Sequence, residues 1–214
     1  MPGPRVSRGR SGTLLHCRAL SAPVVGDAMG ALAFEPCPIA GMYQVRSNVT
    51  TDERGRFRKL FDADAFAAVA PAFRVVQTNL STTKGAGTVR GMHFQHAPAA
   101  EYKLVGCLRG RIQDVVVDLR KSSATWLRWH AVEMREDDDV QVLIPPGCAH
   151  GFQTLTECSE LLYQHSAAWN PAAEGGVRHD DPVLAITWAL PVTRVSERDR
   201  SFAPIDSTFH GART

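Results

Sequence analysis

The chain has 214 residues, 44% hydrophobic and 21% charged, with 24 basic against 22 acidic side chains for a net charge of +2. That length suits one domain of ordinary size, and the composition excludes wholesale disorder. The near-neutral balance excludes a dedicated nucleic-acid binder, and no apolar run approaches the roughly 18 residues of a spanning helix, so no membrane partner is expected.

Residues 1–33 stand apart. They carry Arg5, Arg8, Arg10 and Arg18, no acidic residue before Asp27, and little apolar periodicity. An N-terminal extension without fixed structure is expected there, a transit peptide being the other reading of an Arg-rich, acid-poor start. Leu14-Leu15 is too short for the core of a secretory signal. Residues 34–214 read as a single domain. Its one helical pattern runs from Asp62 through the alanines around Phe66 to a stop at Pro71.

Short β-branched runs follow, punctuated by turns. Strands are predicted at 74–80, 103–108, 111–119, 128–134, 140–144, 151–155 and 161–165. Leu108-Arg109-Gly110-Arg111 reads as a hairpin turn, and Glu136 to Asp139 as an exposed acidic one. Strands at this spacing without intervening helices point to a sandwich or jelly roll, not to βαβ units. The 5 cysteines, at 17, 37, 107, 148 and 158, are odd in number and form no CxxC pair. Reduced thiols and a cytoplasmic location are therefore expected, and Cys148, although close to His150, lacks an orienting partner for a nucleophile.

Three polar clusters interrupt the strands: Arg90-Gly-Met-His-Phe-Gln95, Ile144-Pro-Pro-Gly-Cys-Ala-His-Gly-Phe152 and Ser196-Glu-Arg-Asp-Arg200. In the first, strict alternation puts Arg90, Met92 and Phe94 on one face and His93 with Gln95 on the other. The Pro-Gly-x-x-His150 run resembles the second motif of the cupin jelly roll. The three clusters, with Asp52-Glu-Arg-Gly-Arg-Phe57, Val76-Gln-Thr-Asn-Leu-Ser81, Asp114-Val-Val-Val-Asp-Leu-Arg120 and Asp180-Asp-Pro182, resemble in order and spacing the signatures of the dTDP-4-dehydrorhamnose 3,5-epimerase family. The match spans about residues 34–206.

That resemblance implies an all-β cupin jelly roll with a few short helices. It also implies an enzyme that inverts one or both carbons flanking the ketone of a nucleotide-linked 4-keto-6-deoxy sugar, without metal or organic cofactor. Such inversion needs a base and an acid on opposite faces of the ring and a charge stabiliser at the oxygen. By the resemblance, His93 is the base, Asp199 its carboxylate partner, Tyr163 the acid, and Lys103 the cation over the enolate. Gln77, Asn79, Arg90, His150 and Trp169 match pocket positions, Arg90 facing a diphosphate through its planar fork. Arg54 and Phe57 match residues that reach the nucleotide, partly across the interface of a homodimer with exchanged N-terminal strands.

The chain departs from the family pattern at Lys59, Gly106, Ala168 and His179, which leaves open the exact sugar and the number of centres inverted. Two other readings compete. A metal-dependent cupin oxygenase could draw on His93, His96, Glu101 and His150, but His93 and His96 point to opposite faces of a strand, and Gln95 stands where His-x-His needs its second histidine. A non-catalytic cupin that binds nucleotide-sugars accounts for the departures but not for His93, Lys103, Tyr163 and Asp199 occurring together.

Overall fold

A computed structural model describes residues 31–214, and the runs of β-branched and aromatic residues between glycine and proline turns form its strands. In chain order these are β1 (Leu32–Pro36), β2 (Tyr43–Ser47), β3 (Thr50–Asp52), β4 (Gly55–Phe57), helix α1 (Ala63–Ala67), β5 (Gln77–Lys84) and β6 (Val89–Gln95). There follow β7 (Lys103–Arg109), β8 (Arg111–Asp118), β9 (Trp129–Arg135), β10 (Val140–Ile144), β11 (Cys148–Thr154), β12 (Cys158–His165), β13 (Glu174–Gly176) and helix α2 (Glu197–Arg200). They make one sheet in the order β1-β2-β10-β7-β12-β5 and a second in the order β13-β6-β11-β8-β9, with β3 and β4 a separate two-stranded ribbon. Every pairing between strands is antiparallel. The all-β jelly roll expected of a cupin is the fold observed.

One apolar layer, including Val105, Ile112, Val116, Met134, Val142 and Phe152, draws on strands of both sheets. A second layer packs Met92, Val115, Val117 and Leu119 against Leu184 and Ile205 of the C-terminal segment. The second sheet is thus covered on both faces, which explains the unbroken run Val115-Val116-Val117. A third cluster seats Phe66 of α1, with Phe73, on Val45, Leu104 and Leu143 of the first sheet. Both phenylalanines are fully buried, each contributing about 1.5–3 kcal/mol.

The structure corrects several expectations. Leu108 to Arg111 is no hairpin turn, because β7 and β8 belong to different sheets and the link carries the chain between them. Gly110 turns there at φ +77°, where a Cβ would lie 2.3 Å from the Cys158 carbonyl oxygen. A glycine link of this length serves either purpose; distant strand pairing decides which. The strand expected at 74–80 begins at Gln77 and runs to Lys84, since Phe73 is drawn into the α1 cluster. Helix α1 starts on Asp62, whose side chain accepts from the Ala65 N–H, and ends at Ala67, four residues before Pro71. Leu32 and Ala33, assigned to the extension, pair with Ser47 and Arg46. The four N-terminal arginines and the rest of that extension lie outside the described residues. Among the described residues no helix is long and apolar enough to cross a membrane.

Candidate active site

The cleft is organised by an irregularity in β6. His150 lies opposite His93 and Phe152 opposite Arg90, so Gly91 and Met92 together face the single residue Gly151. One extra residue reverses the alternation, as a β-bulge does. Arg90 therefore lines the same cleft as His93, which corrects the expectation that strict alternation separates them. Gly91 permits the bulge: its φ is +128°, and a Cβ would lie 2.5 Å from Gly151 Cα and 2.8 Å from the His150 carbonyl oxygen.

Behind His93 stands Asp199, buried on α2, with its backbone N–H bound to the Ser196 hydroxyl of the N-cap. His93 Nε2 donates to Asp199 Oδ1 at 2.7 Å, and the Gly91 N–H donates to Oδ2 at 3.1 Å. Burial raises the Asp199 carboxyl, but these bonds, His93 foremost, outweigh it and hold the pKa below the ordinary value. With Asp199 ionised, the shared proton sits on Nε2 and Nδ1 is the basic nitrogen. A second pair lies alongside, His150 Nε2 to Asp114 Oδ2 at 2.6 Å, both residues buried.

Tyr163 on β12 stands between two imidazoles, edge-on to His150 at 5.8 Å and stacked on His165 at 5.9 Å. Desolvation first, and then the Asp114 carboxylate, push its phenol pKa well above the usual value. Lys103 opens β7, almost wholly buried. Its ammonium donates to the His93 carbonyl oxygen at 3.2 Å and pairs with Glu101 at 3.5 Å. His93, Tyr163, Lys103, Arg90 and His150 line one cleft of about 710 Å³. Gln77, Asn79 and Trp169 line it too; Gln77 Oε1 accepts the Trp169 backbone N–H at 3.0 Å.

Arg54 and Phe57 are not among these residues. Arg54, on the β3–β4 turn, pairs with Asp52 at 2.5 Å, while Phe57 is 72% exposed. Two further lining residues, His165 and Glu174, carried no role in the sequence reading, and Glu101 entered it only as a metal ligand. His165 was legible, because two residues beyond Tyr163 on a strand is the same face. Glu174, held by Arg198 at 2.5 Å, had no local signal.

The oxygenase residues are separately engaged: His93 with Asp199, His150 with Asp114, Glu101 with His165 and Lys103, and His96 with the Arg213 N–H. Burial pushes the Cys148 thiol up to about 12, unfit for a nucleophile at neutral pH. At the departures, Lys59 pairs with Asp62 at 2.7 Å, Gly106 lies against the Gln141 side chain, and His179 is buried. Ala168, exposed, offers its carbonyl to Gln95.

An all-β jelly roll with a buried carboxylate–histidine pair, a tyrosine and a lysine in one cleft is a cupin fold equipped for proton transfer, and its similarity to known proteins makes it an epimerase, an enzyme of the isomerase class. Residues 36–207 match the family model described as dTDP-4-dehydrorhamnose 3,5-epimerase, and the chain belongs to that family. It is 36% identical to a dTDP-4-dehydrorhamnose 3,5-epimerase of Sinorhizobium fredii, over 82% of this chain and 91% of that one. It is 35% identical to a dTDP-4-dehydrorhamnose 3-epimerase of Streptomyces niveus, over 79% and 82%. Among solved structures, the Legionella pneumophila 3,5-epimerase in complex with dTDP-4-keto-L-rhamnose superposes with a TM-score of 0.79 at 30% identity, covering 86% of this chain and 98% of that one.

Proposed function

We propose that this enzyme inverts C3, C5 or both in a dTDP-linked 4-keto-6-deoxyhexose, in the biosynthesis of a rhamnose-type deoxysugar. The observation that carries the reading is the meeting, in one cleft, of a carboxylate-held histidine with a desolvated phenol and a buried ammonium. His93 Nδ1 takes the hydrogen on a carbon beside the ketone as a proton. The bonding pair moves into the carbonyl, and the enolate oxygen gains its negative charge beside the Lys103 ammonium. Asp199 holds the imidazole in the receptive tautomer and balances the imidazolium. Tyr163, kept protonated by desolvation, delivers its hydroxyl proton to the opposite face, and water restores both groups.

Arg90 binds the diphosphate bidentately, while Gln77, Asn79, His150 and Trp169 orient the sugar and the nucleotide it carries. Arg54 and Phe57, outside the cleft of their own chain, serve the nucleotide end of a second subunit's cleft in a homodimer. The buried thiols Cys107 and Cys148, not joined in a disulfide, support a reducing cytoplasmic setting. Incubation with dTDP-4-keto-6-deoxyglucose in heavy water tests the reading. Deuterium at two carbons means inversion at both centres, deuterium at one means a single-centre enzyme, and none overturns the proposal in favour of a binding protein.

A further inference from the structure

Two histidine–carboxylate pairs of the site are described above, His93–Asp199 and His150–Asp114; a third, Glu101–His165, faces the same cleft and has no part in the proposed chemistry. Glu101 divides its carboxylate. Oε1 lies 3.5 Å from the Lys103 ammonium, and Oε2 accepts from His165 Nδ1 at 2.9 Å. Both side chains are nearly buried, with 12% exposure at His165 and 6% at Glu101. Because Nδ1 carries the proton given to Glu101, the neutral ring keeps its lone pair on Nε2. That nitrogen points to the Asn79 amide at 3.4 Å, well beyond the usual length of about 2.9–3.0 Å. Asn79 is exposed on β5, the edge strand of its sheet, directly across from Tyr163 in register. The stacked His165 ring sets this donor–acceptor pair beside the phenol.

We propose that His165 and Asn79 together read one hydroxyl of the hexose, with Glu101 as the positioning residue that fixes the His165 tautomer. The inference rests on the epimerase reading and adds a specificity determinant to it. The hydroxyl oxygen accepts from Asn79 Nδ2 and its hydrogen is donated to His165 Nε2, which gives each atom a shorter partner than the 3.4 Å contact they make with each other. A 4-keto-6-deoxyhexose joined to a nucleotide at C1 has free hydroxyls at C2 and C3, and the pair takes one of them. A sugar lacking that hydroxyl leaves Nε2 and the amide poorly paired, and it binds less well in the transition state.

The test compares kcat/KM for solvent deuterium exchange on dTDP-4-keto-6-deoxyglucose with that on its 2-deoxy and 3-deoxy analogues. The wild type favours the parent sugar over one analogue by about threefold to tenfold through this hydrogen bond, and the analogue concerned identifies the hydroxyl. His165→Leu removes that part of the preference and leaves the ratio for the other analogue unmoved. Asn79→Ala, on the exposed edge strand, does the same and serves if the leucine variant does not fold. Glu101→Gln still accepts from Nδ1 and retains the preference, whereas Glu101→Leu loses it. A role confined to supporting the Tyr163 ring changes the rate on all three sugars equally. Ratios unmoved in His165→Leu and Asn79→Ala, or Glu101→Gln and Glu101→Leu behaving alike, overturn this inference alone. A wild type that exchanges deuterium into none of the three sugars overturns the epimerase reading and the inference with it.

Discussion

Asp199→Asn removes one charge from the cleft and almost no volume, which makes it the most informative single substitution. The carboxylate accepts from His93 Nε2 at 2.7 Å and from the Gly91 N–H at 3.1 Å, in a site where Asp199 is 4% exposed. An asparagine has one oxygen for these two donors. If its amide nitrogen faces Gly91, two buried N–H groups oppose each other at a cost of about 1–3 kcal/mol. If it faces His93, Nε2 must give up its proton, and Nδ1 then carries the proton it is supposed to take. Losing the charge-assisted bond costs about 1.5–3 kcal/mol, which at 1.36 kcal/mol per decade is roughly 10- to 160-fold in rate. The inverted tautomer carries the loss toward the roughly 10²- to 10⁴-fold range of a disabled general base. Proton NMR in heavy water reads deuterium exchange and epimer formation in one sample. Both are expected to fall together, because enolisation precedes each, with circular dichroism unchanged. A variant retaining more than a tenth of the wild-type exchange rate would refute the proposed role of the pair.

In Tyr163→Phe, His93 still removes the proton and, once the imidazolium has traded it with solvent, returns a deuteron to the same face, so exchange is expected to persist while inversion fails; epimerisation at the wild-type rate would assign the acid elsewhere. Gly91→Ala forces a side chain into the bulge and should cost at least about 1–3 kcal/mol from the positive φ alone, lowering Tm and activity together; unchanged thermal melting would show that the bulge is not fixed. Asp118 is fully buried, and although burial alone raises its carboxyl, bonds from Arg120, Ser123 and Thr125 bring the pKa down to about 2. That depressed value contributes on the order of 2 kcal/mol, fully present above about pH 4 and lost as pH falls through the folded-state value. The stability gap between wild type and Asp118→Asn in urea melts should therefore narrow toward pH 2, and a gap that widens contradicts the assignment. Light scattering at micromolar concentration should report a dimer, and a fully active monomer would remove Arg54 and Phe57 from the proposed site.

The sequence was most legible where one strand face is buried and its pattern is local. The strand at 140–144 was predicted to the residue, and those at 103–108 and 111–119 within one residue. β5 was misplaced because it is an edge strand lined with polar groups for the cleft, so Gln77 to Lys84 shows no apolar alternation to read. The β7–β8 link was misjudged because a glycine turn looks the same whether its flanks pair with each other or with partners some 50 residues away, as Leu161 does with Cys107. His93, Lys103 and Tyr163, singled out by the family resemblance, all line the cleft. Arg90 was given the wrong face because one inserted residue reverses alternation. Glu174 was missed because its place depends on Arg198 and Trp169, which no pattern in its own strand encodes.

The distance along the chain between His93 and Asp199 also has a temporal meaning. The two residues are separated by 106 positions, which at about 5–20 residues per second is roughly 5 to 20 seconds of synthesis. Throughout that interval both sheets are already being made, yet the histidine has no carboxylate behind it. A chain cut short before Ser196 has the residues of every strand of both sheets but lacks Asp199 and also Ile205, which packs on the second sheet. In this molecule the last stretch of chain completes the core and the His93–Asp199 pair together.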